Sequence, residues 1–156
     1  MKRCALLILL SLIILGSLSY FGVNRILWIK EQEAINMTSA QVAEIIKNAG
    51  FEITNYRILS LEEAPLAFEE GDICFDIELD RMLYLVCIAE RSGWKSAKTV
   101  SKELNALDNR MQGGFVHCFY YGPILVAVGP RGEEVIEDYY KELAIELYEV
   151  IANADN

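Results

Sequence analysis

Apolar and polar residues alternate with different periods along the chain, and the changes of period mark its elements. The densest run, CALLILLSLIILGSLSYFGV at residues 4–23, is twenty residues without a charge. The next stretch, ILWIKEQEAINM at 26–37, reads as a connector that lies along a membrane surface or extends the helix before it. At Thr38 the pattern becomes helical. Thr38 and Gln41 have capping-box spacing, and Met37 and Val42 have that of a hydrophobic staple. Val42, Ile45 and Ile46 share one face of this helix, and Gly50 follows as a left-handed stop. A strand is predicted near Phe51–Leu59, then an acidic loop, LEEAPLAFEEGD.

DICFDIELDRMLYLVCIA, residues 72–89, is the strongest hairpin signal. A turn at Asp80-Arg81 sets Leu79 opposite Met82, Ile77 opposite Tyr84, Phe75 opposite Val86 and Ile73 opposite Ile88. That face is apolar throughout. The other face sets Glu78 opposite Leu83, Asp76 opposite Leu85 and Cys74 opposite Cys87.

A second domain helix is expected over Gly93–Met111, with Trp94, Ala97, Val100, Leu104, Leu107 and Met111 at helical spacing. Gly113-Gly114 ends it. FVHCFYYGPILVAVGP reads as two strands about a turn at Tyr121–Pro123. The last helix is expected over Glu133–Ala152. Its apolar stripe is Val135, Tyr139, Leu143, Leu147 and Val150, and Glu133, Glu134, Glu137 and Asp138 suit the positive end of its dipole. The order is α-β-β-β-α-β-β-α. Short hairpins imply an antiparallel sheet of about five strands, and amphipathic helices imply cover on at least one face. The expected fold is a small α+β sandwich at 38–156, preceded by an N-terminal transmembrane helix or signal peptide at 1–25 and the connector at 26–37.

The apolar run has two readings. Twenty helical residues span about 30 Å, the hydrocarbon thickness of a bilayer. Tyr20, Phe21 and Trp28 stand near its far end, where aromatic residues favour the interface. In the other reading Ala5–Leu15 is a signal-peptide core, cut after Ser19 to release the protein. The anchor is preferred on length. Both readings leave Lys2 and Arg3 in the cytoplasm and send the domain across the membrane. Cys4 precedes the run, which is the wrong side for a lipid-modified cysteine.

Charge narrows the partners. Of 156 residues, 14 are Lys or Arg and 23 are Asp or Glu. Beyond Arg25 there are 11 basic and 23 acidic residues, a net of −12. Such a domain repels nucleic acid, so none is expected as a partner. Arg91, Lys95, Lys98 and Lys102 make the one basic stripe, fit for an acidic envelope protein or the acidic face of another copy; an ordinary wet helix face is the competing reading.

Candidate chemistry is sparse. With Cys74 and Cys87 as a non-hydrogen-bonded pair, their Cα atoms approach to about 4.5 Å, within disulfide geometry. An exported compartment permits the bond; two reduced core thiols are the alternative. His117 and Cys118 are neighbours on a strand and point to opposite faces, so they make no catalytic pair. One histidine and scattered cysteines lack the paired ligands of a zinc site. Asp76, Glu78 and Asp80 alternate on one strand after Glu69, Glu70 and Asp72. They read as a solvated polar face, with calcium binding or a carboxylate-dependent hydrolase as weaker readings. GPRGEE at 129–134 lacks the lysine and hydroxyl of a phosphate loop. Asn36-Met37-Thr38 matches a glycosylation sequon, but the helix cap explains Thr38 more simply.

No catalytic residue, metal or cofactor is therefore assigned. The sequence points to a membrane-anchored extracytoplasmic module for binding, sensing or envelope assembly, and leans away from an enzyme. The alternative is a secreted or tethered hydrolase.

Overall fold

The computed structural model describes residues 20–60, 62, 67–79, 81–110, 116–131 and 139–155. The chain divides into two units, Met1–Ala34 and Ile35–Asn156. In the first, a helix α1 runs over 20–34. The stretch expected as a connector is thus helical through Ala34. Among the described residues no helix is long and apolar enough to cross a membrane. Residues 4–19 of the apolar run, with Ser19 and the cleavage site, lie outside the described residues.

The second unit is an α+β fold. Its elements are α2 (Ser39–Asn48), β1 (Ile53–Ile58), β2 (Ile73–Leu79), β3 (Met82–Glu90), α3 (Trp94–Arg110), β4 (His117–Tyr121), β5 (Ile124–Pro130) and α4 (Tyr139–Ala154). The five strands form one antiparallel sheet in the order β1-β2-β3-β5-β4. β5 therefore lies between β3 and β4, and α3 carries the chain over it.

Helix α2 starts where its cap dictates. The Thr38 N–H donates to Gln41 Oε1 at 2.8 Å, and the Gln41 N–H donates to Thr38 Oγ1 at 3.3 Å. Met37 and Val42 are both buried in the core beside it. Gly50 stops the helix at φ +97°, a conformation that costs glycine little.

The β2–β3 register agrees with all seven pairs read from the alternation, from Ile73↔Ile88 to Leu79↔Met82. Arg81 holds the turn at φ +68°, and Asp80 lies outside the described residues.

Both sheet faces are covered. On one, Phe75, Ile77, Val86, Ile88, Val126 and Val128 pack against Val42 and Ile46 of α2 and Tyr140, Leu143, Leu147 and Ile151 of α4. On the other, Cys74, Cys87, Leu125, Ala127 and Cys118 meet Ala97 and Leu104 of α3, with Leu59 and Phe68.

Two helix faces depart in part from their expected stripes, although Ala97, Val100 and Leu104 of α3 and Leu143 and Leu147 of α4 pack inward as expected. In α4 the buried positions are Tyr140, Leu143, Ala144, Leu147 and Ile151, while Tyr139 is exposed. In α3, Ser101 is buried and Leu107 is exposed, because polar groups of α3 bind the sheet edge. Residues 111–115 and 132–138, with Met111, Gly113, Gly114, Val135 and the acidic first turn expected for the last helix, lie outside the described residues.

Candidate functional site

Cys74 and Cys87 form a disulfide, with Cα atoms 4.2 Å apart. The alternation of β2 and β3 aligns them, and α3 and Leu59 bury them. Cys87 lies opposite Ala127, and Ala127 opposite Cys118, so three cysteines occupy one row across four strands. Cys118 is buried and in no disulfide. Two strand spacings separate it from Cys87, about 10 Å, beyond the reach of a disulfide without backbone movement.

His117 and Cys118 do face opposite ways. Cys118 belongs to the core under α3, while Phe119 and Tyr121, in phase with His117, pack toward α4. The Cys118 backbone is occupied as well. Asn105 Nδ2 donates to its carbonyl and Asn105 Oδ1 accepts from its N–H, both at 2.7 Å; Ser101 Oγ adds a bond of 2.9 Å to the same carbonyl.

Of the basic stripe, Arg91 sits apart from the lysines. Its guanidinium donates to the Ala67 carbonyl, pairs with Asp72 at 3.3 Å and lies over the Phe68 ring. Asp72 also accepts from the Glu69 N–H at 2.8 Å. This clasp closes the acidic loop onto the start of β2. Lys95 and Lys98 bracket Trp94, their ammonium groups 5.7 and 5.4 Å from its ring centroid. Lys102 is exposed one turn on.

Asp76 departs from the expected solvated face. Glu78 is exposed, but Asp76 is 0% exposed. Its Oδ2 accepts from Asn55 Nδ2 at 2.7 Å and from Arg131 Nη1, while Oδ1 has no hydrogen-bond partner. Asn55 reaches in from a bulge of β1, where the register shifts between Thr54 and Arg57 and Asn55 takes φ +50°. The alternation correctly set Asp76 opposite Leu85, yet an arginine fifty-five residues on is what lets a carboxylate stay buried. Nothing local in the sequence announces that pairing.

Each of Asp72 and Asp76 is thus held by its own arginine, and the described residues include no group of three metal-ligating side chains. An open groove beside α2 is lined by Asn36, Gln41, Glu44, Ile45, Asn48 and Asp155, and among the described residues Glu69, Glu70, Asp72, Asp76 and Glu78 are not in it. Asp155 accepts from the Tyr121 hydroxyl at 3.1 Å. At the β4 edge, burial pushes the Tyr120 phenol up from its ordinary value, and the nearby Tyr148 hydroxyl adds to the shift.

The sequence reading passed over one surface feature. Glu142, Glu146 and Glu149 form an exposed acidic row on α4, with exposed Ile145 inside it. Their four-and-three spacing is the signal that could have identified it.

No protein-family model matches the chain, and neither a curated protein nor a solved structure matches it.

Proposed function

We propose that the chain is a membrane-anchored protein with an extracytoplasmic α+β domain, and that this domain is a non-catalytic module for binding, sensing or envelope assembly. The Cys74–Cys87 disulfide carries the reading. Such bonds persist in oxidising compartments and are rare where thiols are kept reduced. An apolar run of twenty residues behind Lys2 and Arg3 supplies the route to such a compartment. The start of α1 is in keeping with the anchor: Tyr20, Phe21, Val23, Ile26 and Leu27 are all exposed, spread around the helix rather than along one stripe. A helix apolar on several sides suits lipid better than water.

The test is mass spectrometry of the full chain from membranes of its native host, with thiols blocked before digestion. The expected result is an intact N-terminal peptide and a Cys74–Cys87 cross-linked peptide. A chain that starts near Tyr20 would make it a released protein. Blocked, unpaired Cys74 and Cys87 would remove the case for export. Co-purification of membrane complexes then tests the binding role, and repeated recovery of the chain alone would sink it.

A further inference from the structure

The charged rows of α3 and α4 match each other, although one molecule cannot bring them together. Lys95, Lys98 and Lys102 follow at intervals of three and four residues, whereas Glu142, Glu146 and Glu149 follow at four and three. Residues at these spacings share one helix face, and each row spans eight residues, about 10.5 Å from first to last. Read in opposite directions, the intervals coincide. Lys102 then meets Glu142, Lys98 meets Glu146 and Lys95 meets Glu149. Read in the same direction, the middle pair slips by one residue. The same alignment sets Ile145, 58% exposed, against Thr99, whose hydroxyl is bonded to the Lys95 carbonyl at 2.9 Å. That bond leaves the threonine methyl for the isoleucine.

The surroundings favour the match. α3 and α4 cover opposite faces of the sheet, so one molecule's two rows do not meet each other. Trp94 holds Lys95 and Lys98 against its ring, which reduces the entropy lost on docking. Among the described residues Glu142, Glu146 and Glu149 make no ion pair. Of the opposing charges nearby, Glu103 flanks the basic row on α3, and Lys141 lies over the Tyr140 ring at 5.6 Å, beside the acidic row.

We propose that the domain assembles head to tail, the Lys95/Lys98/Lys102 row of one copy docking antiparallel on the Glu142/Glu146/Glu149 row of the next. This interface rests on the reading of the domain as an assembly module and does not need the anchor. It is heterologous, so every added copy leaves one basic and one acidic row open, and the product is a chain or a ring. It is small, and exposed ion pairs contribute little singly, so the contact is weak in dilute solution and favoured where copies are concentrated.

The test is sedimentation velocity of the full chain in detergent, with two charge-reversed variants. One carries Lys95→Glu, Lys98→Glu and Lys102→Glu; the other carries Glu142→Lys, Glu146→Lys and Glu149→Lys. Circular dichroism and the intact disulfide confirm that both are folded. The wild type is expected to grow in mass with concentration at about 0.1 M salt and to dissociate at about 1 M, where the screening length falls to about 3 Å. Each variant alone is expected to associate at least about tenfold more weakly, since three attractive pairs become repulsive. An equimolar mixture should associate again, because each variant supplies the row the other lost. A monomeric wild type, variants that associate unchanged, or a mixture that stays monomeric would each overturn the interface. Capture of a monomeric wild type by phosphatidylglycerol vesicles, lost in the lysine variant, would overturn it in favour of a lipid surface. If the interface fails while membrane complexes still contain another protein, the assembly reading survives it; if neither is found, both fall.

Discussion

Asn105 pairs with the backbone of Cys118 as a neighbouring strand would, its amide accepting from the N–H and donating to the carbonyl at 2.7 Å each. β4 is an edge strand, and unpaired edges invite pairing with other chains. A side chain from α3 closes this one at its middle. Asn105→Leu is expected to destabilise the domain by about 1–3 kcal/mol, because the Cys118 N–H loses its partner while Ser101 still serves the carbonyl. Urea denaturation measures it. A loss within error would show that water replaces the amide.

Gly122 is constrained twice. It takes φ +54° in the β4–β5 turn, and a Cβ there would lie 2.6 Å from both Cβ and Cγ2 of Ile35. Gly122→Ala should cost about 2–4 kcal/mol, from the left-handed backbone and the overpacking together. Ile35→Ala should not rescue it, since the Ile35 Cβ is itself one of the clashing atoms. Thermal unfolding of the single and double variants decides the point; full rescue would mean that Cγ2 alone is responsible.

Arg131 and Asp76 should respond unequally. Arg131 is 41% exposed in its side chain and can turn to water, but the Asp76 carboxylate cannot. Arg131→Ala leaves a buried charge with Asn55 alone and is expected to cost about 3–5 kcal/mol. Adding Asp76→Asn should recover most of that loss, because the charge is then gone. A double-mutant cycle by chemical denaturation provides the check. Additive losses would mean that the two residues act independently.

Tyr120 sets a dependence on alkaline pH. Its phenol titrates above the ordinary 10.0 in the folded chain, chiefly through burial. Between the unfolded and folded values the native state holds more protons, so stability falls as pH rises. The contribution is whole below pH 10 and is lost as pH climbs through the raised value. Tyr120→Phe should flatten that decline, seen as a higher alkaline midpoint of unfolding relative to its own stability at neutral pH. An unchanged slope would place the titration elsewhere.

Much of this protein is legible along the chain because local rules decide it. The period-two pattern of 72–89 determined the β2–β3 register, and with it the facing of Cys74 and Cys87, since a slip of one residue would turn every apolar side chain outward. Thr38 and Gln41 determined where α2 begins, through groups three residues apart. The α+β class and the five strands follow from the same periodicities. Strand order came only from tertiary structure, as did the inward turn of Ser101 on α3 and of Tyr140 and Ile151 on α4. β5 sits between β3 and β4, Ser101 and Asn105 turn α3 toward Cys118, and Arg131 allows Asp76 to stay dry. Each depends on a partner that no local period encodes. Polar residues in a pattern read as solvent-facing until a distant group arrives to pair with them, and folding alone decides which ones meet.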